Sequence, residues 1–192
     1  MRLALEHGPD NVRVEDIAEA AGVSPRTYNN YFSSREHAIV AAVTADREAG
    51  VEAAITLRPK DIRLAEVVTE AIVEQYADPG DRHREALLLI TTHPSLRSAY
   101  LSDADTIAPV LADAIAARIG DTEGFTARVL AAAVVAAIRI ALEQWLRPTG
   151  SSGFVITSGS LPDRLRAALA PLEPALDAAE RKGAPTGNGR FR

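Results

Sequence analysis

Cysteine is missing from all 192 residues, which excludes disulfides, thiol nucleophiles and thiol-based sensing. Lysine is nearly missing too: only Lys60 and Lys182 stand among 21 basic residues, the rest being arginine. With the abundance of alanine, this is the bias of a high-GC genome and points to an actinobacterium. Aromatic residues are only 5% of the chain and β-branched runs are short, so no strand pattern persists. The nearest approach to a long apolar run, residues 129–142, is alanine-rich and contains Arg139, which fits a buried helix of a soluble bundle and not a membrane span. No signal-like start is found, so the expected location is cytoplasmic, with no membrane partner. Catalytic ingredients are also lacking. There is no Gly-rich phosphate loop followed by a strand and no cluster of metal ligands, and Gly187-Asn188-Gly189 lies in a compositionally disordered tail. The chain is therefore expected not to be an enzyme and to need no cofactor or metal.

What is present is helix. Apolar residues recur at three- and four-residue intervals almost throughout, and the length allows a substantial core in one or two domains. A net charge of −5 and a pI near 5.4 argue against indiscriminate nucleic-acid binding. The local distribution differs: from Ala20 to Ser34 the only charged residue is Arg26, with Arg35 next.

That quiet stretch belongs to the most informative segment, Val14 to Phe32. Val14, Ile17, Ala18 and Ala21 share one face of a helix whose other face carries Glu15, Asp16 and Glu19. Gly22 falls where the chain must turn, Val23 anchors the turn, Ser24 can cap a new helix and Pro25 suits its first position. The second helix, Arg26 to Tyr31, is short and polar: Arg26, Thr27, Asn29 and Asn30 exceed what a small core would use. Two short helices joined in this way fit a helix-turn-helix. Arginine suits the guanine edge, asparagine the adenine edge, and Thr, Tyr and Arg suit phosphate oxygens, so double-stranded DNA is the expected partner.

From about Leu3 to Val43 the chain resembles the TetR family of bacterial transcription regulators. The resemblance runs through Gly8, Val14, Ile17-Ala18, Ala21-Gly22-Val23-Ser24, Thr27, Tyr31-Phe32 and Ser34-Arg35-Glu36. It implies that Thr27 and Tyr31 touch the DNA backbone, that Arg26, Asn29 and Asn30 face base edges, and that Arg35 meets a phosphate where the family usually has lysine. Asn29 replaces a common tyrosine, and Arg13 stands where a capping threonine is common and can still reach phosphate. The candidate DNA-binding set is Arg13, Ser24, Arg26, Thr27, Asn29, Asn30, Tyr31 and Arg35. Before Gly8 there are only about two helical turns, whereas the family has a longer first helix behind a basic arm; the front reads as shortened. SPRTYNNYFSSRE is nearest to the mycofactocin-associated branch, some members of which respond to acyl-coenzyme A compounds.

The expected architecture is all-α: a helix-turn-helix domain over residues 1–45, an effector-binding and dimerisation domain over 46–182, and a disordered tail over 183–192. Ser34 should cap a long helix from Arg35 toward Ala54. Further helices are expected from Ile62 to Tyr76, ending at Asp78-Pro79-Gly80, then from Arg82 to Thr92, Ser95 to Leu101, Thr106 to Ile119 and Phe125 to Leu146. A Gly/Ser-rich loop from Thr149 to Ser160 precedes a helix with Leu161, Leu165 and Leu169. Ala132, Ala133, Ala136 and Ala137 would allow close helix approach, and the resemblance implies a homodimer formed by the long helix and the leucine-row helix of each subunit.

Candidate effector-binding residues are Tyr76, His83, Leu87, Thr91, Tyr100 and Arg139, for a small molecule that is apolar or an acyl-coenzyme A. Each has a structural alternative: the apolar ones as core, Arg139 as the partner of Glu143 four residues on. The leading reading is a repressor released by that effector. Its rival is a dimeric ligand-binding helical protein that has lost specific DNA binding.

Overall fold

The computed structural model describes residues 1–77, 80–147 and 160–183, and the side chains of all of these except 77, 80–84 and 183. Among them the chain forms helices and no strand: α1 (Arg2–His7), α2 (Val14–Ala20), α3 (Pro25–Tyr31), α4 (Arg35–Thr44), α5 (Arg47–Thr56), α6 (Leu64–Ala77), α7 (Gly80–Thr92), α8 (Pro94–Asp103), α9 (Ala108–Ile119), α10 (Phe125–Trp145), α11 (Leu161–Leu169) and α12 (Glu173–Gly183). The expected features at Asp78-Pro79, along the Gly/Ser-rich loop and in the C-terminal tail lie outside the described residues.

Helices α1 to α4 make a small head, and the others make a body built around α6. On α6, Leu64, Val67, Val68, Ala71 and Ile72 are fully buried. Helices α5, α11 and α12 pack on α6, while α9 and α11 flank α10. An aspartate starts α10: the Asp121 carboxylate accepts from the Gly124 and Ala127 amides, at 3.1 and 2.9 Å, satisfying N–H groups that a helix start leaves unpaired. Arg118 ties the α5–α6 connection to α9 by donating to the carbonyls of Arg58, Pro59 and Ile62.

One expectation needs correction. The single helix from Arg35 toward Ala54 is two helices, α4 and α5, parted at Ala45-Asp46, where the Asp46 ψ of −3° opens the helical turn. Residues on both sides of the break bind one carboxylate of α8: Thr44 donates to Asp103 at 3.0 Å and Arg47 at 3.1 Å. Tertiary hydrogen bonding prevails there over the helical preference of an alanine-rich run. The leucine row of α11 faces inward. Leu161, Leu165 and Leu169 are buried on α6 and α10 of their own chain, so they serve the internal core. The outward side of α10 is an apolar surface left open: Phe125, Val129 and Ile140 are each more than half exposed, with Ala132 and Ala136 between them. By length and composition α10 could cross a membrane, yet half of its most apolar stretch is buried in the bundle.

Candidate functional site

In the head, the turn between α2 and α3 is built as the residue types require. Gly22 has a φ of 69°, the left-handed conformation that side chains disfavour. The Val23 amide reaches back to the Ala18 carbonyl at 2.9 Å, closing α2. Ser24 then caps α3, its Oγ accepting from the Thr27 amide at 3.1 Å and lying 2.9 Å from the Thr27 hydroxyl. Tyr28 faces inward at 3% exposure, stacks obliquely on Phe32 and donates its hydroxyl to the Ser34 carbonyl at 3.0 Å. Ser34 in turn caps α4, accepting from the His37 amide at 3.2 Å. One buried tyrosine and two caps therefore set the angle between α3 and α4.

With Tyr28 turned in, the other side of α3 faces outward. Arg26, Asn29, Asn30 and Tyr31 are exposed, Tyr31 at 78%, and Thr27 is half-buried. The exposed Arg13 precedes α2; its amide donates to the Asp16 carboxylate at 2.9 Å, a half capping box that needs no threonine.

Arg35 is differently engaged. Its guanidinium donates to the Asp10 and Val12 carbonyls, both at 3.1 Å, and to Glu36 at 2.8 Å. It braces α4 against the α1–α2 connection from within the chain. Partial burial opposes the Glu36 charge, but a backbone hydrogen bond and Arg35 outweigh it and hold the carboxyl below its usual range.

The residues expected to bind an effector scatter. Tyr76, Leu87 and Tyr100 come together in one cavity of about 200 Å³ beside Val43, Arg47 and Gln75. Thr91 is buried outside that lining, its hydroxyl donating to the Leu88 carbonyl at 2.8 Å. Arg139 stands on the outer part of α10 and pairs with Asp105 instead of Glu143. His83 has its side chain outside the described residues.

Sequence reasoning missed the centre of this cavity. Arg47 is 8% exposed; it donates to Asp103 at 3.1 Å and to the Tyr100 hydroxyl at 3.2 Å, and its guanidinium lies 4.0 Å from the Tyr76 ring centroid. Burial opposes the charge, yet Tyr76, Tyr100 and Asp103 more than offset it and keep the arginine protonated. Burial also pushes the Tyr76 phenol well above its ordinary range, so its proton stays in place. Nothing local marks Arg47: it sits in an alanine-rich run, and its partners come from distant helices.

A helix-turn-helix with an outward polar second helix, mounted on a helical body, is the architecture of a DNA-binding transcription regulator. Residues 1–43 match the family described as bacterial regulatory proteins, tetR family, and residues 62–177 match the MftR C-terminal domain. Among curated proteins, the HTH-type transcriptional regulator TcmR of Streptomyces glaucescens is 29% identical over 156 residues, covering 76% of this chain and 69% of that protein. The chain belongs to the TetR family of transcriptional regulators, in its mycofactocin-associated branch.

Proposed function

We propose that the chain is a homodimeric, cytoplasmic repressor, without enzymatic activity, whose grip on operator DNA is loosened by a small effector. In this reading residues 1–45 act as the DNA-binding domain and 46–182 as the effector and dimerisation domain. Helix α3 enters the major groove with Arg26, Asn29 and Asn30 on base edges. Arg13, Ser24, Thr27 and Tyr31 meet the backbone, and Arg35 meets it only in so far as its internal contacts allow. The exposed side of α10 joins two copies, so that two heads reach half-sites roughly 34 Å apart. The effector, apolar or an acyl-coenzyme A, occupies the cavity at Tyr76, Leu87 and Tyr100.

One observation carries the reading: the reading helix and the cavity are joined by a single helix. Ser34 caps α4 immediately after α3, and α4 ends at Thr44, bonded to the same Asp103 that holds Arg47 in the cavity wall. A ligand that shifts Arg47 or Asp103 therefore acts on the helix that carries the head, provided it binds the two positions of α4 unequally.

A second reading, a ligand-binding dimer without specific DNA recognition, is favoured by the engagement of Arg35 within the head and by the overall charge of −5. Fluorescence-anisotropy titration against the DNA upstream of the chain's own gene, over a salt series with excess nonspecific competitor, separates the two. The repressor reading expects binding tighter than competitor, at dimer stoichiometry, with strong salt dependence. Binding no tighter than competitor, there and across a library of random duplexes, would leave the second reading.

A further inference from the structure

Arg35 of α4 and Asp16 of α2 hold the two ends of one peptide unit. The Val12 carbonyl accepts from Arg35 Nη1 at 3.1 Å, and the Arg13 amide, on the same planar unit, donates to the Asp16 carboxylate at 2.9 Å. Val12 itself is buried at 2% exposure, and Val14 already belongs to α2. A peptide plane fixed at both ends does not rotate, so the exposed Arg13 leaves the chain in a set direction. We infer that Arg35 is a positioning residue: together with Asp16 it aims Arg13 at a DNA phosphate, and it takes no phosphate itself. This role rests on the reading of the head as a DNA-binding unit, and it reverses what the family resemblance implies for Arg35.

A guanidinium donates and never accepts, and most of the N–H groups of Arg35 are already used. Nη1 serves the Asp10 and Val12 carbonyls, both at 3.1 Å, while Nε and Nη2 serve Glu36 at 3.2 and 2.8 Å. The Asp10 carboxylate stands 3.9 Å from Nη2. A phosphate reaching for Arg35 would have to displace a carbonyl or approach beside two carboxylates, against its own charge. A lysine ammonium, a single point of charge, would not hold two carbonyls and a carboxylate in one planar fork, which gives arginine a use here beyond its charge. Arg13 has the opposite setting: it is exposed and stands at the start of α2. In a helix-turn-helix the first helix crosses the DNA backbone while the second lies in the groove, and this puts the α2 side of the head at the phosphates.

Anisotropy titrations of the full chain over a salt series test this, on a duplex that the wild type selects from a random library. The variants are Arg13→Gln, Arg35→Gln, the two combined, and Asp16→Ala and Asp16→Asn, each with and without Arg13→Gln. A phosphate contact contributes about 0.9 to the slope of log K against log salt, so Arg13→Gln is expected to flatten the slope by about that much per subunit. Arg35→Gln alone should weaken binding about three- to tenfold. In the Arg13→Gln background it should leave the slope unchanged and the affinity within about twofold, because nothing remains to be aimed. Asp16→Ala should bind about three- to tenfold more weakly than Asp16→Asn, which has the same charge but keeps an acceptor oxygen, and Arg13→Gln should abolish that difference. The Asp16 pair carries the test if Arg35→Gln does not fold. A further slope loss when Arg35→Gln is added to Arg13→Gln would give Arg35 a phosphate of its own and overturn the assignment. So would a wild-type slope in Arg13→Gln, wild-type affinity in Arg35→Gln, or equal binding by the two Asp16 variants. If the wild type selects no duplex, the regulator reading fails by itself, and the same comparison is read on a random duplex, where phosphate contacts still govern binding.

Discussion

Arg47 of α5 and Asp103 of α8, 56 residues apart in sequence, form a buried ion pair at 3.1 Å, with Arg47 lining the cavity. Thr44 donates to the same carboxylate, so Asp103 spans the break between α4 and α5. Removing one buried charge strands the other. Arg47→Met is expected to cost about 3–5 kcal/mol in urea unfolding, and Arg47→Met with Asp103→Leu much less, because both charges leave together. A double variant as unstable as the single would argue that packing over Tyr76 and Tyr100, and not charge, matters at this position.

On the reading face, Arg26→Ala and Asn29→Ala alter exposed side chains and should change stability by no more than about 0.5 kcal/mol. Each should lower affinity for the specific operator by about 1–3 kcal/mol, through lost base contacts. Anisotropy on operator and random duplexes checks this. Specific binding that survives the double substitution would remove these residues from the reading face.

The cap at Ser24 has a cost that can be measured apart from DNA. Ser24→Ala removes the acceptor for the Thr27 amide and is expected to destabilise the head by about 1 kcal/mol. Ser24→Asp, which restores an acceptor, should recover most of it in thermal unfolding, although its charge should weaken DNA binding.

If two copies meet through α10, Phe125→Asp and Ile140→Asp should shift sedimentation from dimer to monomer with the helical circular-dichroism signal intact. Leu165→Ala, in the leucine row of α11, should instead cost about 2–5 kcal/mol of stability with no change in oligomeric state. The reverse pattern would return the leucine row to the interface.

Glu36 supplies a test with a defined sign. Its carboxyl is held below the usual range, so it contributes stability that is present above the unfolded-state pKa and lost as pH falls through the folded value. The difference in thermal midpoint between wild type and Glu36→Gln should be full near neutral pH and shrink below the ordinary carboxylate range. A difference independent of pH would exclude ionisation as its source.

The sequence alone determined everything in this protein that depends on neighbours in the chain. Apolar spacing at three and four residues defines helices, Gly22 permits the left-handed conformation of the turn, Ser24 and Ser34 cap the helices they precede, and Arg26, Thr27, Asn29 and Asn30 are polar beyond what a small core would use. Those signals are local, so the all-α fold and the reading helix were legible in the chain itself. Tertiary structure decided what depends on partners far apart in sequence. It divided the helix after Arg35 at Asp46, turned the leucine row of α11 inward, and gave Arg35 to the Asp10 and Val12 carbonyls and Arg139 to Asp105. It also brought Arg47, Tyr76, Tyr100 and Asp103 from three helices into one cluster, of which Arg47, Tyr76 and Tyr100 line the cavity. A charge in an alanine-rich helix reads the same in sequence whether it faces water or a pair of tyrosines; only packing sets its surroundings, and with them its energy and its use.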